Sequence, residues 1–409
     1  MAKQPLTLRA YLAATHVVPF LAKRHLKKRI ARGKEHPTRW TEKLGQPSVA
    51  RPDGILIWLH AVGLGEVLSL RGLIAQMASI TDAHFLVTSS TLAGANAFAQ
   101  NMPPRTIHQF LPLDAPNYRH AFLDHWQPDL CIWAEQDLWP GFVTTLANRK
   151  IPQAMISARM TGSSFRNKAR LHSFFAHLYK QMALITAYDQ DTADFLDHLG
   201  AGKTSISGSL KPSAPALSHN PLDLAALQST IKSRFTWITA PSHLADEVLA
   251  IAAHKRLRTQ IPNALLIIAP RFPNRKITPN MPTKRRSKGE MPTANTAIYL
   301  ADTLGELGLF YRLANAAFIG GTNDTTEGHS PWEAANLHTA IIHGPRTANF
   351  KADYDLLNAE NAAICVTTEQ SLADALSQDL STQITNAQRV IAGQHAVIKN
   401  LAQDLVALT

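Results

Sequence analysis

Cysteine is scarce in this chain. Cys131 and Cys365 are the only two in 409 residues. Each falls in a short apolar run that reads as a buried strand, where a free thiol packs as a small hydrophobe. Two such residues make neither a disulfide framework nor a zinc-ligand spacing. Eighteen histidines are present, but none stands in a His-x-x-x-His or Cys/His pattern. The expectation is therefore a reducing compartment and chemistry that needs no metal and no bound cofactor. Acidic residues are also in short supply: 30 Asp and Glu against 41 Lys and Arg, a net charge of +11. That excess favours polyanionic partners such as nucleic acid, an anionic membrane or phosphorylated ligands. Long apolar runs are missing as well. Leu8 to Leu21 is moderately apolar but carries Arg9 and His16, and it is shorter than the roughly 20 residues a helix needs to span a bilayer. No small-residue cleavage site comes after it, which argues against a secretory signal.

The segment directly after that run is strongly basic. KRHLKKRIARGK places seven Lys and Arg between Lys23 and Lys34. An apolar helix followed by a cationic one suits the anionic cytoplasmic face of a membrane; the plainer reading is a solvated basic helix. A nucleic-acid arm is disfavoured, because aromatics to stack bases are few and no recognised module comes next.

From residue 54 onward, short apolar runs alternate with segments of helical spacing. GILIWLH, HFLVTS, LCIWAE, PQAMIS and ALITA are strand-like, with helical patterns such as Glu66 to Met77 and Ala115 to His125 between them. The alternation breaks at Gly208 to Asn220, where Ser and Pro cluster as in a linker. It restarts with RFTWITA, ALLIIAP, AIYLA, AAFIG and AIIHG, with helical patterns over Asp246 to Gln260 and Leu304 to Ala314. Such alternation predicts parallel sheets covered by helices, and the length exceeds one ordinary core. The expected fold is α/β of the GT-B kind: two Rossmann-like domains with a ligand cleft between them, at the carboxyl ends of the strands. The expected boundaries are a basic segment over 1–35, a first domain over 36–208, a linker over 209–232 and a second domain over 233–409, with the last helix packing back on the first domain.

Five constellations can carry chemistry. The first is His60-Ala61-Val62-Gly63-Leu64-Gly65-Glu66, directly after a strand. Its glycines permit a tight strand-to-helix turn with backbone N–H groups facing a ligand. Glu66 at that helix start can take a proton from a hydroxyl, or simply complement the helix dipole. No Gly-Lys-Ser/Thr closes this turn, so it is not a P-loop. The second is Trp133-Ala134-Glu135-Gln136-Asp137-Leu138-Trp139-Pro140, which puts Glu135 and Asp137 at a strand end, either to bind acceptor hydroxyls or to cap a helix; its tryptophans read as packing. The third is Ala269-Pro270-Arg271, where a planar guanidinium can clamp a phosphate; nearby Lys284-Arg285-Arg286 adds positive charge or is a solvated loop. The fourth is Asp302-Thr303-Leu304-Gly305-Glu306-Leu307, again a strand end opening a helix. The fifth runs from Gly320-Gly321-Thr322 through Glu327-Gly328-His329-Ser330-Pro331-Trp332-Glu333, a glycine-rich loop with an acid able to hold a ribose diol. Three such turns at successive strand ends of the second half form a nucleotide site.

In this order the segments resemble the Kdo (3-deoxy-D-manno-octulosonic acid) transferases, glycosyltransferase family 30, over nearly the whole chain. The resemblance is carried by RGKEHPTRWTEKLGQP, HAVGLGE, LPLDAP, DHWQPDLCIWAEQDLWP, ISARMTGSSF, GSLK, APRFPNR, RRS, DTLGELGLFYRLANAAFIGG, EGHSPWEAAN and GPRTANF. It implies an inverting transfer of Kdo from CMP-Kdo to a phosphorylated lipid A precursor, lipid IVA, in lipopolysaccharide inner-core synthesis. The enzyme would then be peripheral on the cytoplasmic side of the inner membrane. By the same resemblance Glu66 is the base. Gly65, Glu135 and Asp137 lie on the acceptor side. Lys211, Pro270, Arg271, Gly305, Glu306, Ser330 and Glu333 lie on the donor side. The chain departs from the family pattern at Gly63, where Ser is usual, at Ser330, where Asn is usual, and at Ala334, where Pro is usual. The alternatives are a divergent GT-B paralogue with another acceptor or sugar, and a non-catalytic nucleotide-sugar-binding protein.

Overall fold

The computed structural model describes residues 4–135 and 138–409. They fall into two compact units, one of residues 1–214 with 395–409 and one of residues 215–394.

The first unit is built on seven parallel strands: β1 (Leu56–His60), β2 (His84–Ser89), β3 (Thr106–Phe110), β4 (Leu130–Ala134), β5 (Gln153–Ala158), β6 (Leu184–Ala187) and β7 (Ser205–Ile206). Their spatial order is β3-β2-β1-β4-β5-β6-β7. The order reverses between β1 and β4, and crossover helices leave a crevice outside the carboxyl ends of such a pair. LIWLH and LCIWA are buried at every position, as strands covered by helices on both faces must be. On one face Trp58 packs against Phe122, Trp133 and Phe142 at ring-centroid distances of 5.0, 5.3 and 5.5 Å. On the other, Ile57, Leu59 and Ile132 meet Leu70 and Ile74 of the helix Leu64–Ala78, and Ile398, Leu401 and Leu405 of the last helix. Each such side chain contributes about 1.5–3 kcal/mol by leaving water.

The segment RGKEHPTRWTEKLGQP has a structural role. Glu42, fully buried, accepts hydrogen bonds from Arg39, Ser48 and the N–H of Phe110. Glu35 binds Arg29 and Lys43, and Lys43 reaches the carbonyl of Ser90. These bonds clip the helix Val18–Ala31 and the segment after it to the ends of β2 and β3, in the same N-terminal region as the helix Leu6–Ala14. The N-terminal segment buries Leu8, Ala22 and Leu26 but leaves Leu6, Val17, Phe20 and Leu21 exposed. Among the described residues, no helix is long and apolar enough to cross a membrane.

The second unit repeats the plan with β8 (Thr236–Ser242), β9 (Leu265–Pro270), β10 (Thr283–Arg285), β11 (Ile298–Leu300), β12 (Ala316–Ile319), β13 (Ala340–His343) and β14 (Ala363–Cys365). These are parallel in the order β10-β11-β9-β8-β12-β13-β14, with the reversal between β8 and β12. The architecture is the two-unit Rossmann-like plan of GT-B glycosyltransferases.

Residues 209–232, expected as a linker, are built into the two units. Lys211–Ser213 forms a turn on the helix Leu64–Ala78, so close that a Cβ on Gly72 would lie 2.1 Å from the Ser213 carbonyl oxygen. Pro221–Ile231 is a helix capped by Asn220, with Leu227 and Ile231 in the second core. The Ser/Pro composition marks the break in the pattern, but the four-residue spacing of Leu227 and Ile231 gives that helix an apolar face. Cys365, expected in a buried run, is exposed on the edge strand β14, whereas Cys131 is buried in β4. Strands β3, β7 and β10, which no apolar run announces, are all sheet edges.

Candidate active site

In the first unit, β1 ends at His60 and the helix Leu64–Ala78 begins within four residues. Gly63 caps that helix in an extended conformation and has no side chain to accept an N–H. Glu66, in the first turn, folds back instead: its Oε2 accepts from the N–H groups of Val62 and Gly63, each at 3.0 Å. Among the described residues Oε1 makes no hydrogen bond. The carboxylate is thus held in one rotamer with one oxygen facing outward from a half-buried position. Gly65 is exposed beside it, and the Lys211 ammonium stands 3.9 Å from where a Gly65 Cβ would be. Lys211, expected on the donor side, therefore lies in the first unit, next to the turn that carries Glu66.

Glu135 directly follows β4 on the other side of the strand-order reversal. It is buried, and its N–H extends the ladder to the Ile156 carbonyl at 3.0 Å. Its φ of 61° is left-handed, a conformation that costs a non-glycine residue about 1 kcal/mol or more and is typical of functional turns. Asp137 lies outside the described residues. The LPLDAP segment anchors the next helix, Pro140–Asn148: Asp114 Oδ2 accepts from the Gly141 N–H and from Tyr11, both at 2.8 Å, and its Oδ1 pairs with Arg119.

His60, the first residue of the HAVGLGE motif, has a role that sequence spacing does not suggest. It is fully buried, with Nδ1 2.9 Å from Thr88 Oγ1 and Nε2 accepting from the indole N–H of Trp139 at 3.3 Å. An indole can only donate, so Nε2 is unprotonated and the ring is neutral. Burial pushes its pKa down to about 3, partly opposed by the Thr88 backbone bond.

In the second unit the corresponding turn comes after β8. Asp246 Oδ2 accepts from the N–H of His243 at 2.9 Å and, across the reversal, from the N–H of Gly321 at 2.7 Å. Asp246 is fully buried, and desolvation raises its pKa although both N–H groups oppose the rise. His243 Nε2 meets His329 Nε2 at 2.9 Å with the rings stacked. Gly320 is obligatory here, because a Cβ would fall 1.8 Å from the Pro241 carbonyl oxygen.

Around that crevice the expected donor residues occupy successive strand ends. Pro270 closes β9, and the Arg271 N–H binds the Ser242 carbonyl at 2.9 Å, leaving its guanidinium exposed 5.8 Å from the Phe272 ring centre. Gly305 is exposed with φ 83°, a glycine conformation. The Glu306 carboxylate is engaged by Arg286 at 2.7 Å and by Thr303. Burial pushes the pKa of Glu306 up, but these bonds outweigh it and hold the carboxyl below its usual range. Ser287 and Arg285 bind Asp302 in the same way. The basic run 284–286 is therefore not wholly a solvated loop: Arg285 and Arg286 lock the DTLGE turn, and Arg286 also pairs with Asp223 at 2.8 Å. Ser330 Oγ is buried and has no hydrogen-bond partner among the described residues. Glu333 lies half-buried in the short helix Trp332–Ala335.

The comparisons with known proteins agree with this arrangement. Residues 38–214 match the family model described as 3-Deoxy-D-manno-octulosonic-acid transferase (kdotransferase). The "Probable 3-deoxy-D-manno-octulosonic acid transferase, mitochondrial" of Arabidopsis thaliana is 31% identical, over 91% of this chain and 88% of its own length. The 3-deoxy-D-manno-octulosonic acid transferase of Haemophilus influenzae is 29% identical, over 84% of this chain and 82% of its own. The solved glycotransferase of kitacinnamycin shares the fold at a TM-score of 0.52 with 12% identity, covering 87% of this chain and 100% of that one. Two Rossmann-like units, the strand-end motifs in their order and relatives matched along most of their length lead to one conclusion: the chain belongs to the 3-deoxy-D-manno-octulosonic acid transferase family of glycosyltransferases.

Proposed function

We propose that the protein transfers Kdo from CMP-Kdo to a phosphorylated lipid A precursor, lipid IVA, with inversion at the anomeric centre. The observation that carries the reading is Glu66: a carboxylate at the strand-order reversal of the first unit, fixed by the Val62 and Gly63 N–H groups through one oxygen and open through the other. In this reading Glu66 removes the proton from the acceptor hydroxyl as that oxygen attacks the sugar. Glu135, Asp137 and Gly65 belong to the acceptor side, and Lys211 faces an acceptor phosphate or the sugar carboxylate from beside Gly65. The donor is held at the strand ends of the second unit. Arg271 and the exposed N–H groups at the DTLGE turn meet the charge that develops on departing CMP, an electrostatic contribution realised in the transition state. Ser330 and Glu333 hold the nucleoside, and no metal is required.

The exposed Leu6, Val17, Phe20 and Leu21, together with the basic run Lys23 to Lys34, support peripheral contact with the anionic cytoplasmic face of the inner membrane. An anionic lipid surface and two anionic substrates also account for the net charge of +11.

The test is incubation with CMP-Kdo, generated in place, and a tetraacylated, bisphosphorylated lipid A precursor, with mass spectrometry of the lipid as the readout. Increments of one or more Kdo masses are expected. An unchanged lipid, with intact CMP-Kdo and folded protein, would overturn this donor–acceptor pairing.

A further inference from the structure

We infer that His60 is a positioning residue that sets the spacing between the Glu66 turn and the start of the helix after the Glu135 strand end. The inference concerns the geometry of the same crevice and rests on the reading that both acids serve the acceptor. His60 is the last residue of β1, in register with Thr88 of β2 on one side and with Trp133 of β4 on the other. Its ring makes two side-chain bonds: Nδ1–H donates to Thr88 Oγ1 of β2 at 2.9 Å, and Nε2 accepts from Trp139, beyond β4, at 3.3 Å. Thr88 Oγ1 in turn accepts from the Trp58 indole at 2.8 Å. The result is one chain of side-chain bonds, Trp139–His60–Thr88–Trp58, that links the start of the helix Pro140–Asn148 to β1 and β2.

Two members of this chain, His60 and Trp139, adjoin the acid-bearing segments. Residues 61–66 leave His60 directly and end at Glu66. Trp139 is the capping residue of the helix Pro140–Asn148, the helix that comes after the Glu135 strand end. Among the described residues, no β1–β4 ladder pair lies beyond His60 and Trp133. The His60–Trp139 bond is a cross-link past the last ladder pair. The imidazole suits the role because its two nitrogens, on opposite edges of a rigid ring, give one donor and one acceptor. Full burial, with an obligate donor aimed at Nε2, also keeps the ring neutral, so the cross-link does not loosen between neutral and mildly acid pH.

The test uses the full chain and three single variants, His60→Leu, His60→Gln and Trp139→Phe, plus the His60→Leu/Trp139→Phe double variant. Hydrogen exchange over residues 60–66 and 138–142 and the kcat and KM of transfer are measured together. His60→Leu and Trp139→Phe are expected to speed exchange in both turns and to lower kcat by about tenfold each, with the KM for donor unchanged, since small misplacements of reacting groups cost rate more than binding. The double variant should be no worse than His60→Leu alone, because the Trp139 bond is already lost in that variant. Gln, whose amide carries a donor and an acceptor, should restore most of the loss. Wild-type exchange rates in both turns of Trp139→Phe, or a Gln variant as impaired as Leu, would overturn the proposal. If His60→Leu fails to fold, Trp139→Phe still decides, since it leaves His60 in place. If the wild-type protein shows no transfer at all, the proposed reaction fails, while the exchange data still decide whether the cross-link exists.

Discussion

At the end of β1, Glu66 bends back onto the N–H groups of Val62 and Gly63, both in its own turn. At the end of β8, Asp246 bends back onto His243 and then crosses to Gly321, in the loop after β12. Both acids occupy the same place in their units, near the start of the helix after the first strand, beside the strand-order reversal. The shorter Asp246 is fully buried and ties two loops together. The longer Glu66 is half-buried and keeps one oxygen outward. The same local device thus ties two loops together in one unit and leaves a carboxylate oxygen without a hydrogen bond among the described residues in the other. The histidines divide in the same way. His60 bridges strand ends from inside the core, while His243 and His329 meet through their Nε2 atoms at 2.9 Å in a half-buried contact.

The sharpest way to break this comparison is to remove each acid. Glu66→Ala should lower turnover by about 10²–10⁴-fold, the range for a general base, while CMP binding measured by calorimetry stays at the wild-type value. Turnover near wild type would take Glu66 out of the chemistry. Arg271→Ala should do the opposite, weakening CMP by about 10–100-fold through the loss of a charge-assisted bond; an unchanged Kd would remove Arg271 from the donor site. Asp246→Ala should cost the second unit about 2–5 kcal/mol in denaturant unfolding, since two backbone donors lose their acceptor. A loss under about 1 kcal/mol, the worth of one ordinary hydrogen bond, would show that Asp246 does not hold those loops.

The buried histidines extend the comparison to pH. Burial lowers the pKa of His60 and His108 in the first unit to about 3, and that of His254 in the second to about 4. His108 accepts from Arg39, and His254 from the Trp237 indole, so both rings, like His60, are neutral when folded. A depressed histidine costs nothing above its unfolded pKa of about 6.5, where both states are neutral. Below it the unfolded chain takes the proton first, so the stability linked to each ring falls steadily from about pH 6.5 toward the folded pKa. At about pH 5 the loss is about 2 kcal/mol per ring. His108→Gln should flatten that fall for the first unit between about pH 6.5 and 5 in urea titrations, and a slope identical to wild type would refute the linkage. The smallest effect is expected from Gly63→Ser. At φ −93°, with its nearest would-be Cβ contact 3.7 Å away, Gly63 can accept a side chain. A serine there adds a conventional cap and should raise stability by only a few tenths of a kcal/mol, read as a small shift of the urea midpoint.

Much of the fold is legible in the sequence because central strands of a covered parallel sheet are apolar at nearly every position, as LIWLH, LCIWA and LLIIAP are. Edge strands give no such signal. TIHQF carries His108 and Gln109 yet pairs along all of β3 with β2, so β3 is invisible to an apolar-run search. The helix Pro221–Ile231 is masked by the Ser/Pro segment in front of it. At the site, Glu66, Arg271 and the glycine turns are legible from their position after strands. The Arg285–Asp302 and Arg286–Glu306 pairs are not, since nothing in a basic run announces that it will meet acids 17 and 20 residues away. Nor does sequence spacing place Lys211 beside Gly65, because that contact depends on how the chain turns at the end of the first unit.

The sequence by itself determined the strand–helix alternation, the two Rossmann-like units, the family and the acids and arginines at the strand ends. All of these are written in local periodicity and in motifs a few residues long. Only the tertiary structure decided which acid keeps an open oxygen, which arginines are engaged in ion pairs, where the chain divides and that His60 bridges Thr88 and Trp139 over separations of 28 and 79 residues. Those outcomes depend on burial and on bonds between segments far apart in the chain, which no local pattern encodes.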